Sequence, residues 1–396
     1  MTDTAVRPYD LLDPAFYGDL DGMHAAFRWM RANQPVYRDE ANGLWGVTRH
    51  ADVLDVERRA DVFCSGRGYR SHHEPDEDNM IAQDDPGHLE QRRLVNRRFT
   101  PRGVSVQEPY LRALVDELLE GALAGGSMEV VGELAAPLPA RLTAHLLGFD
   151  ESHWPAIKTW SERLMRYDQI DTDQAAADDF LLAILEFAPV LNEALEARRH
   201  QPADDLVTDW AQATVGGCPM SQGMLINETG LVISGGAETT RTAISRGLAA
   251  FCDHPDQWEA MAADPALVPG AVEEVIRWVT PLNNFFRTAT RDDHIGDQPV
   301  AEGDRVALLY PAANRDEAAF TDPDTFDITR DPNPHVAFGR GTHFCLGANL
   351  ARLELTLLFE ELSRRITDLR VATPPLIEPN IFVGAVQRFE LAFTLR

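Results

Sequence analysis

Lysine occurs once in this chain, at Lys158, and cysteine only four times, at Cys64, Cys218, Cys252 and Cys345. The cysteines are scattered without CxxC or CxxH spacing, which supports neither a disulfide framework nor a zinc site. Each reads first as a small buried hydrophobe, and any that does chemistry acts as a single thiolate. Long apolar runs are missing too. No 18-residue apolar stretch marks a membrane span, and the opening MTDTAVRPYDLLDPAFYGDL lacks the basic-then-apolar order of a signal peptide. A soluble, cytoplasmic protein is expected. Positive charge is scarce: the net charge of −27 excludes general nucleic-acid binding, which needs a basic face. Repeats, low-complexity tracts and Gly/Ser linkers are absent as well, so residues 1–396 read as a single domain with no fused reductase.

What basic charge there is lies mostly in arginine, and some of it is clustered. HLEQRRLVNRRFTPR sets Arg92, Arg93, Arg97, Arg98 and Arg102 against one acid, Glu90. Such a patch is either a docking face for an acidic partner or a solvated helix face. PVYRDEANGLWGVTR predicts a hairpin around Asn42-Gly43, and helical spacing dominates from about Ala51 onward. PYLRALVDELLEGALAGG reads as a helix stopped by glycines, and FLLAILEFAPVLNEALEARR as one interrupted at Pro189. The longest helix is predicted from about Met220 to Phe251, long enough to cross a domain with a buried centre. NNFFRTATR, DRVALLY and the end of the chain read as strands, and 311–334 as an ordered loop. The fold class is mainly α with a small β region.

Three local patterns point to chemistry. The long helix carries Gly235-Gly236 at its middle, unfavourable in a helix interior by about 1 kcal/mol each, followed by Glu238, Thr239 and Thr240. A threonine there bonds back to a carbonyl one turn earlier and bends the helix. The result is either a packing kink with Glu238 in a salt bridge or a groove for a flat ligand. EEVIR puts Glu274 and Arg277 on one helix face, a common pairing. FGRGTHFCLG places Gly339, Gly341 and Gly347 around His343 and Cys345, just before a helix from Leu346 to about Leu362. Glycines allow close backbone approach, and a helix N-terminus lowers a thiol pKa. A thiolate below a flat cofactor and a notched helix above it describe a haem site with cysteine as axial ligand. A thiol hydrolase using Cys345 and a haem sensor or peroxide-using enzyme are the competing readings.

These motifs resemble those of the bacterial cytochromes P450. FGRGTHFCLG is similar to the family's FGxGxHxCxG ligand loop, GGAETT to its [AG]GxxTT segment, EEVIR to its ExxR pair and DDPGHLEQRR to its DxPxHxxxR stretch. The likeness runs in order from about Ala25 to the C-terminus. It implies the P450 fold, haem b and O2, with Cys345 as the iron ligand. His88, Arg92, Arg287 and His343 would hold the propionates, and Gly236 and Gly339 would admit the macrocycle. Thr239 and Glu238 would handle oxygen and protons, and Glu274 and Arg277 would form a buried structural pair. The third member of that cluster is an arginine in the family; Thr325 stands at its place here, with Arg330 a candidate substitute. The resemblance also implies a monomer that takes electrons from a ferredoxin and its reductase, with NAD(P)H only indirectly involved. Arg93, Arg97, Arg98 and Arg102 would form the docking face. Met80, Ile81, Val232, Gly235, Leu282, Phe285 and Phe382 are expected around the substrate, with His72 and His73 as exposed loop residues. Several stretches resemble the actinobacterial cholest-4-en-3-one hydroxylases. The 63–85 loop is polar, which a steroid mouth would not predict, and makes a macrolide, polyketide or other secondary metabolite the alternative.

Overall fold

The computed structural model describes residues 9–75 and 77–396. The expectation of no signal peptide therefore falls partly on residues 1–8, outside the described residues.

Asn42-Gly43 does turn the chain: Val36–Asp39 pairs antiparallel with Leu44–Val47, and Gly43 takes φ +66°. That hairpin joins a five-stranded sheet in the order Val36–Asp39, Leu44–Val47, Arg305–Leu309, Asn284–Ala289, Phe63–Cys64. The pairing of Leu44–Val47 with Arg305–Leu309 is parallel; the others are antiparallel. A second sheet sets Val386–Leu395 between Ile366–Ile377 and Ser127–Glu129. Buried aliphatic and aromatic side chains of the helices form the main core.

The long helix spans Gln222–Asp253, 32 residues, with the Ser221 side chain accepting from the Met224 N–H as its cap. At 1.5 Å per residue it runs for about 48 Å, with its C-terminal half buried. Pro137–Leu147, Trp154–Leu164 and Val268–Val279 pack along it. Among the described residues, no helix is long and apolar enough to cross a membrane.

Two expectations need correction. Pro189 does not interrupt its helix, which continues over Gln174–His200. Ala183, Phe187, Leu191 and Leu195 are buried at four-residue spacing on both sides of the proline, against Trp154–Leu164. That stripe holds the helix through a defect that costs about 3 kcal/mol in isolation. Cys218 is exposed rather than buried. It sits on a two-stranded hairpin turned by Gly216 and Gly217 at positive φ, outside the core.

Candidate functional site

The loop before Ala348–Arg365 folds back on itself, the Cys345 N–H donating to the Phe338 carbonyl at 2.9 Å. Its glycines differ in purpose. A Cβ on Gly339 (φ +64°) would stand 3.0 Å from a Glu57 carboxylate oxygen, and one on Gly341 (φ +72°) 2.3 Å from the Glu57 carbonyl. These two let the helix His50–Arg58 approach the loop. Only Gly347 leaves its Cβ side open. Cys345 lies at the helix N-terminus as the sequence suggests, yet its thiol pKa is raised, not lowered. Burial dominates, with the Gly347 and Ala348 N–H groups and Arg92 opposing it. Among the described residues, no group of three or more His, Cys, Asp or Glu side chains forms a metal cluster. The thiol therefore stands as a lone ligand donor.

Cys345 borders a mainly apolar cavity that opens to the surface. The long helix forms the opposite wall through Leu231, Val232, Ser234, Gly235, Gly236 and Thr239. The paired glycines also divide their work. Gly235 faces open space, whereas a Cβ on Gly236 would stand 2.8 Å from Thr143 Oγ1; this glycine admits the neighbouring helix Pro137–Leu147. Thr239 Oγ1 donates to the Gly235 carbonyl at 2.9 Å, the predicted back-bond.

Glu238 points elsewhere. It is 1% exposed, does not border the cavity, and pairs with Arg241, which also reaches Glu162 and through it Lys158. Burial pushes its pKa up to about 7 against the pull of Arg241.

Cationic side chains gather at one edge. His343 is half-buried, with both ring nitrogens buried and unpartnered; burial first, then the charges of Arg287, His88 and Arg92, push its pKa down to about 2. His88 lies 4.1 Å from it, ring centroid to centroid. The His88 nitrogens already face carbonyls, Nδ1 at 2.7 Å from Met80 and Nε2 at 3.0 Å from Thr342. Arg92 donates to the Phe344 carbonyl at 2.6 Å, and Arg287 to that of Phe286 at 2.7 Å.

Below the cavity, Glu274 and Arg277 are fully buried and form a two-armed pair at 2.6 and 2.7 Å. Arg330 completes the cluster, its Nε 3.2 Å from Glu274 Oε2. Asn333 donates to the same oxygen at 3.1 Å, and Thr325 offers only its carbonyl, to Arg277 and Arg330. The arginine missing at 325 is supplied five residues later.

The basic patch is smaller than its sequence suggests. Arg98 is largely buried and paired with Asp204 and Asp209, at 2.7 and 2.5 Å; Arg97 also reaches Asp209, at 2.6 Å. Helix Leu206–Gln212 brings these acids against Gly87–Phe99. Arg93 and Arg102 stay exposed.

Comparison with known proteins places this geometry. The Cytochrome P450 family profile matches residues 183–376. A steroid C26-monooxygenase of Mycolicibacterium smegmatis is 39% identical over 397 residues, covering 100% of this chain and 98% of the relative. The chain belongs to the cytochrome P450 family. A methyl-branched lipid omega-hydroxylase of Mycobacterium bovis is 35% identical, over 89% of this P450 and 85% of the relative. Among solved structures, a Mycobacterium marinum P450 in complex with pseudoionone superposes with a TM-score of 0.90 at 32% identity, covering 98% of this chain and 100% of that one.

Membership implies haem and O2, and the residues fit them. His343 has two orphaned ring nitrogens beside Arg287 and Arg92, as a carboxylate-bearing ligand requires. Cys345 and the bare backbone of Gly347 and Gly235 lie on the walls of one cavity. All seven residues expected around the substrate of this P450 border it as well. His72 and His73 do not; His72 is tied to Asp171 at 2.6 Å.

Sequence reading missed several residues of the site. Glu57 borders the cavity and accepts from Tyr310 Oη at 2.6 Å. Glu354, one helical face along from Cys345, is buried with a pKa pushed up to about 8. Arg70 also borders the cavity, from a loop read only as polar. The EL of ARLELTLL marks an acid on an otherwise apolar helix face, a signal for Glu354; nothing comparable marks Glu57 or Arg70.

Proposed function

We propose that this P450 inserts one atom of O2 into a C–H bond of an apolar small molecule, with a steroid side chain the first candidate. The observation that carries this is the cavity itself, which joins Cys345, Thr239, Gly235 and an apolar wall of Val232, Leu282, Phe285 and Phe382. Haem held by Cys345 supplies the redox chemistry, with thiolate electron donation favouring O–O cleavage.

The chain's own groups do the rest. Arg287 and Arg92 neutralise the cofactor's carboxylates, and His343 donates to them from its neutral ring. Gly235 leaves space beside the hydroxyl of Thr239, which holds a proton at Oγ1 and releases its back-bond to pass it on. Glu238, titrating near neutrality beside Arg241, feeds protons from the face of the helix turned away from the cavity. The apolar wall orients the substrate and excludes water. Electrons come from a ferredoxin and ferredoxin reductase, and the exposed Arg93 and Arg102 offer the contact. NAD(P)H acts only through these partners. The protein works as a single haem unit, a cytoplasmic monomer.

The names of the most similar relatives support a steroid or branched-lipid substrate. The polar side chains of Tyr69 and Arg70 on the cavity wall keep an oxygenated secondary metabolite as a second reading. The reduced, CO-bound absorption spectrum tests the cofactor assignment: a Soret band shifted as for thiolate ligation is expected, and its loss in Cys345→Ala. An unshifted band in the unaltered protein overturns it. Titration with a steroid and macrolide panel, following water displacement from iron, then separates the two substrate readings.

A further inference from the structure

The far end of the cavity holds a built polar group. Arg70 is 5% exposed and borders both the main cavity and a small recess beside it, as do Tyr69, Leu231 and Ser234. Asp168 accepts from Arg70 Nε at 2.7 Å and also from Nη2; Nη2 reaches the Met165 carbonyl at 3.1 Å. The Ser71 N–H and hydroxyl fix Asp168 from the other side at 2.7 and 2.6 Å. The guanidinium plane lies over Phe382, 3.8 Å from the ring centroid. Among the described residues, Nη1 is the one nitrogen of this group with no hydrogen bond. Because Arg70 borders the cavity, this donor is left open to a ligand or to water.

Resting on the monooxygenase reading above, we propose that Arg70 is a specificity-determining residue that donates through Nη1 to a neutral oxygen acceptor at the end of the substrate remote from the reacting carbon. The substrate is then an apolar molecule with a ketone, ester or amide carbonyl at its far end. The electrostatics select the neutral group. Asp168 already balances the charge of Arg70 and also acts on Arg305, which donates to the Ser71 carbonyl at 3.3 Å. Glu77 accepts from Tyr69 Oη and Asn79 Nδ2 at 2.6 and 2.8 Å. A carboxylate would be desolvated beside two carboxylates with no surplus cation.

The test uses the haem-loaded full chain and follows ligand binding by the absorption change at iron. The probes are 5α-cholestan-3-one against 5α-cholestane, and tetradecan-2-one against tetradecane and tetradecanoate. A charge-assisted hydrogen bond predicts that the ketone binds about 10- to 100-fold more tightly than its hydrocarbon in at least one skeleton. Arg70→Lys keeps a cation against Asp168 but loses the planar fork; Arg70→Met with Asp168→Asn removes both charges together. Each is expected to bring ketone and hydrocarbon to near parity by weakening the ketone alone. Loss of the thiolate-type CO spectrum from the unaltered protein defeats the monooxygenase reading. A normal spectrum with no ketone preference, with tighter binding of tetradecanoate than of tetradecan-2-one, or with the preference intact in both variants, overturns the role of Arg70 alone.

Discussion

Glu238 and Thr239 are adjacent in sequence and face opposite ways: the hydroxyl borders the cavity and donates to Gly235, while the carboxyl pairs with Arg241 outside it. On the proposed mechanism the helix would hold a proton store on one side and a proton user on the other. Glu238→Gln is expected to lower kcat about 10²-fold, the low end of general acid–base effects, with substrate affinity unchanged. Because burial raises the pKa to about 7, the protonated donor is lost as pH rises through 7, and kcat should fall across that range. The pH–rate profile checks this; the same limb surviving in the variant rejects it.

Thr239→Ala removes the only hydroxyl that bonds Gly235 at this point of the helix. Electron consumption should continue while product per electron drops, with peroxide making up the difference. Parallel assays of reductant, peroxide and product measure the coupling, and an unaltered ratio would take Thr239 out of the reaction.

The two glycines of GGAETT make opposite predictions. Gly236→Ala drives a methyl group against Thr143 Oγ1, 2.8 Å away, and should destabilise by about 1–3 kcal/mol, as overpacking does. Thr143→Ala in the same chain should recover most of the loss. Gly235→Ala meets nothing, so melting should barely change while ligand-binding spectra do.

Glu228 gives a stability test. It is fully buried in the long helix, accepts from the Met80 N–H at 2.7 Å, and has a pKa pushed by burial up to about 8. Between the unfolded value of 4.5 and 8, the folded chain keeps a proton that the unfolded chain loses, so this group makes stability fall as pH rises. Glu228→Gln keeps the acceptor and removes the titration. The variant should match the parent near pH 5 and exceed it increasingly towards pH 8, by several kcal/mol at most. Thermal unfolding across that range reads the difference, and parallel curves would contradict it.

At the buried cluster, Arg330→Met should cost about 1–3 kcal/mol by leaving Glu274 short of a charged donor. Thr325→Ala should be close to neutral, since only the backbone of that residue is used. Denaturant midpoints compare the two directly.

Local chemistry was readable where one short stretch carries it. The Thr239–Gly235 back-bond and the Glu274–Arg277 pair each lie within one short stretch and form as expected; Gly236 and Gly339, expected to admit the macrocycle, instead face Thr143 and Glu57, which come from distant segments. Interactions between distant segments were not readable. Arg98 looks like a free surface cation until Asp204 and Asp209 arrive from over 100 residues away. The pair of Arg70 and Asp168 is likewise 98 residues apart, and no periodicity announces it. Pro189 misleads for the same reason: what keeps its helix whole is a neighbouring helix. The expected fall in the Cys345 pKa failed on balance of effects, because desolvation outweighs a helix end.

The parallel pairing of Leu44–Val47 with Arg305–Leu309 has a consequence in time. Trp45 Nε1 donates to Asp304 across 259 residues of intervening chain, so the hairpin made early has no partner for its second edge until then. At about 5–20 residues per second of synthesis, that wait is roughly 13–50 s. An unpaired strand edge is a template for other chains. During that interval the edge is blunted by the short length of its strands, four residues each, and by the charge of Arg38.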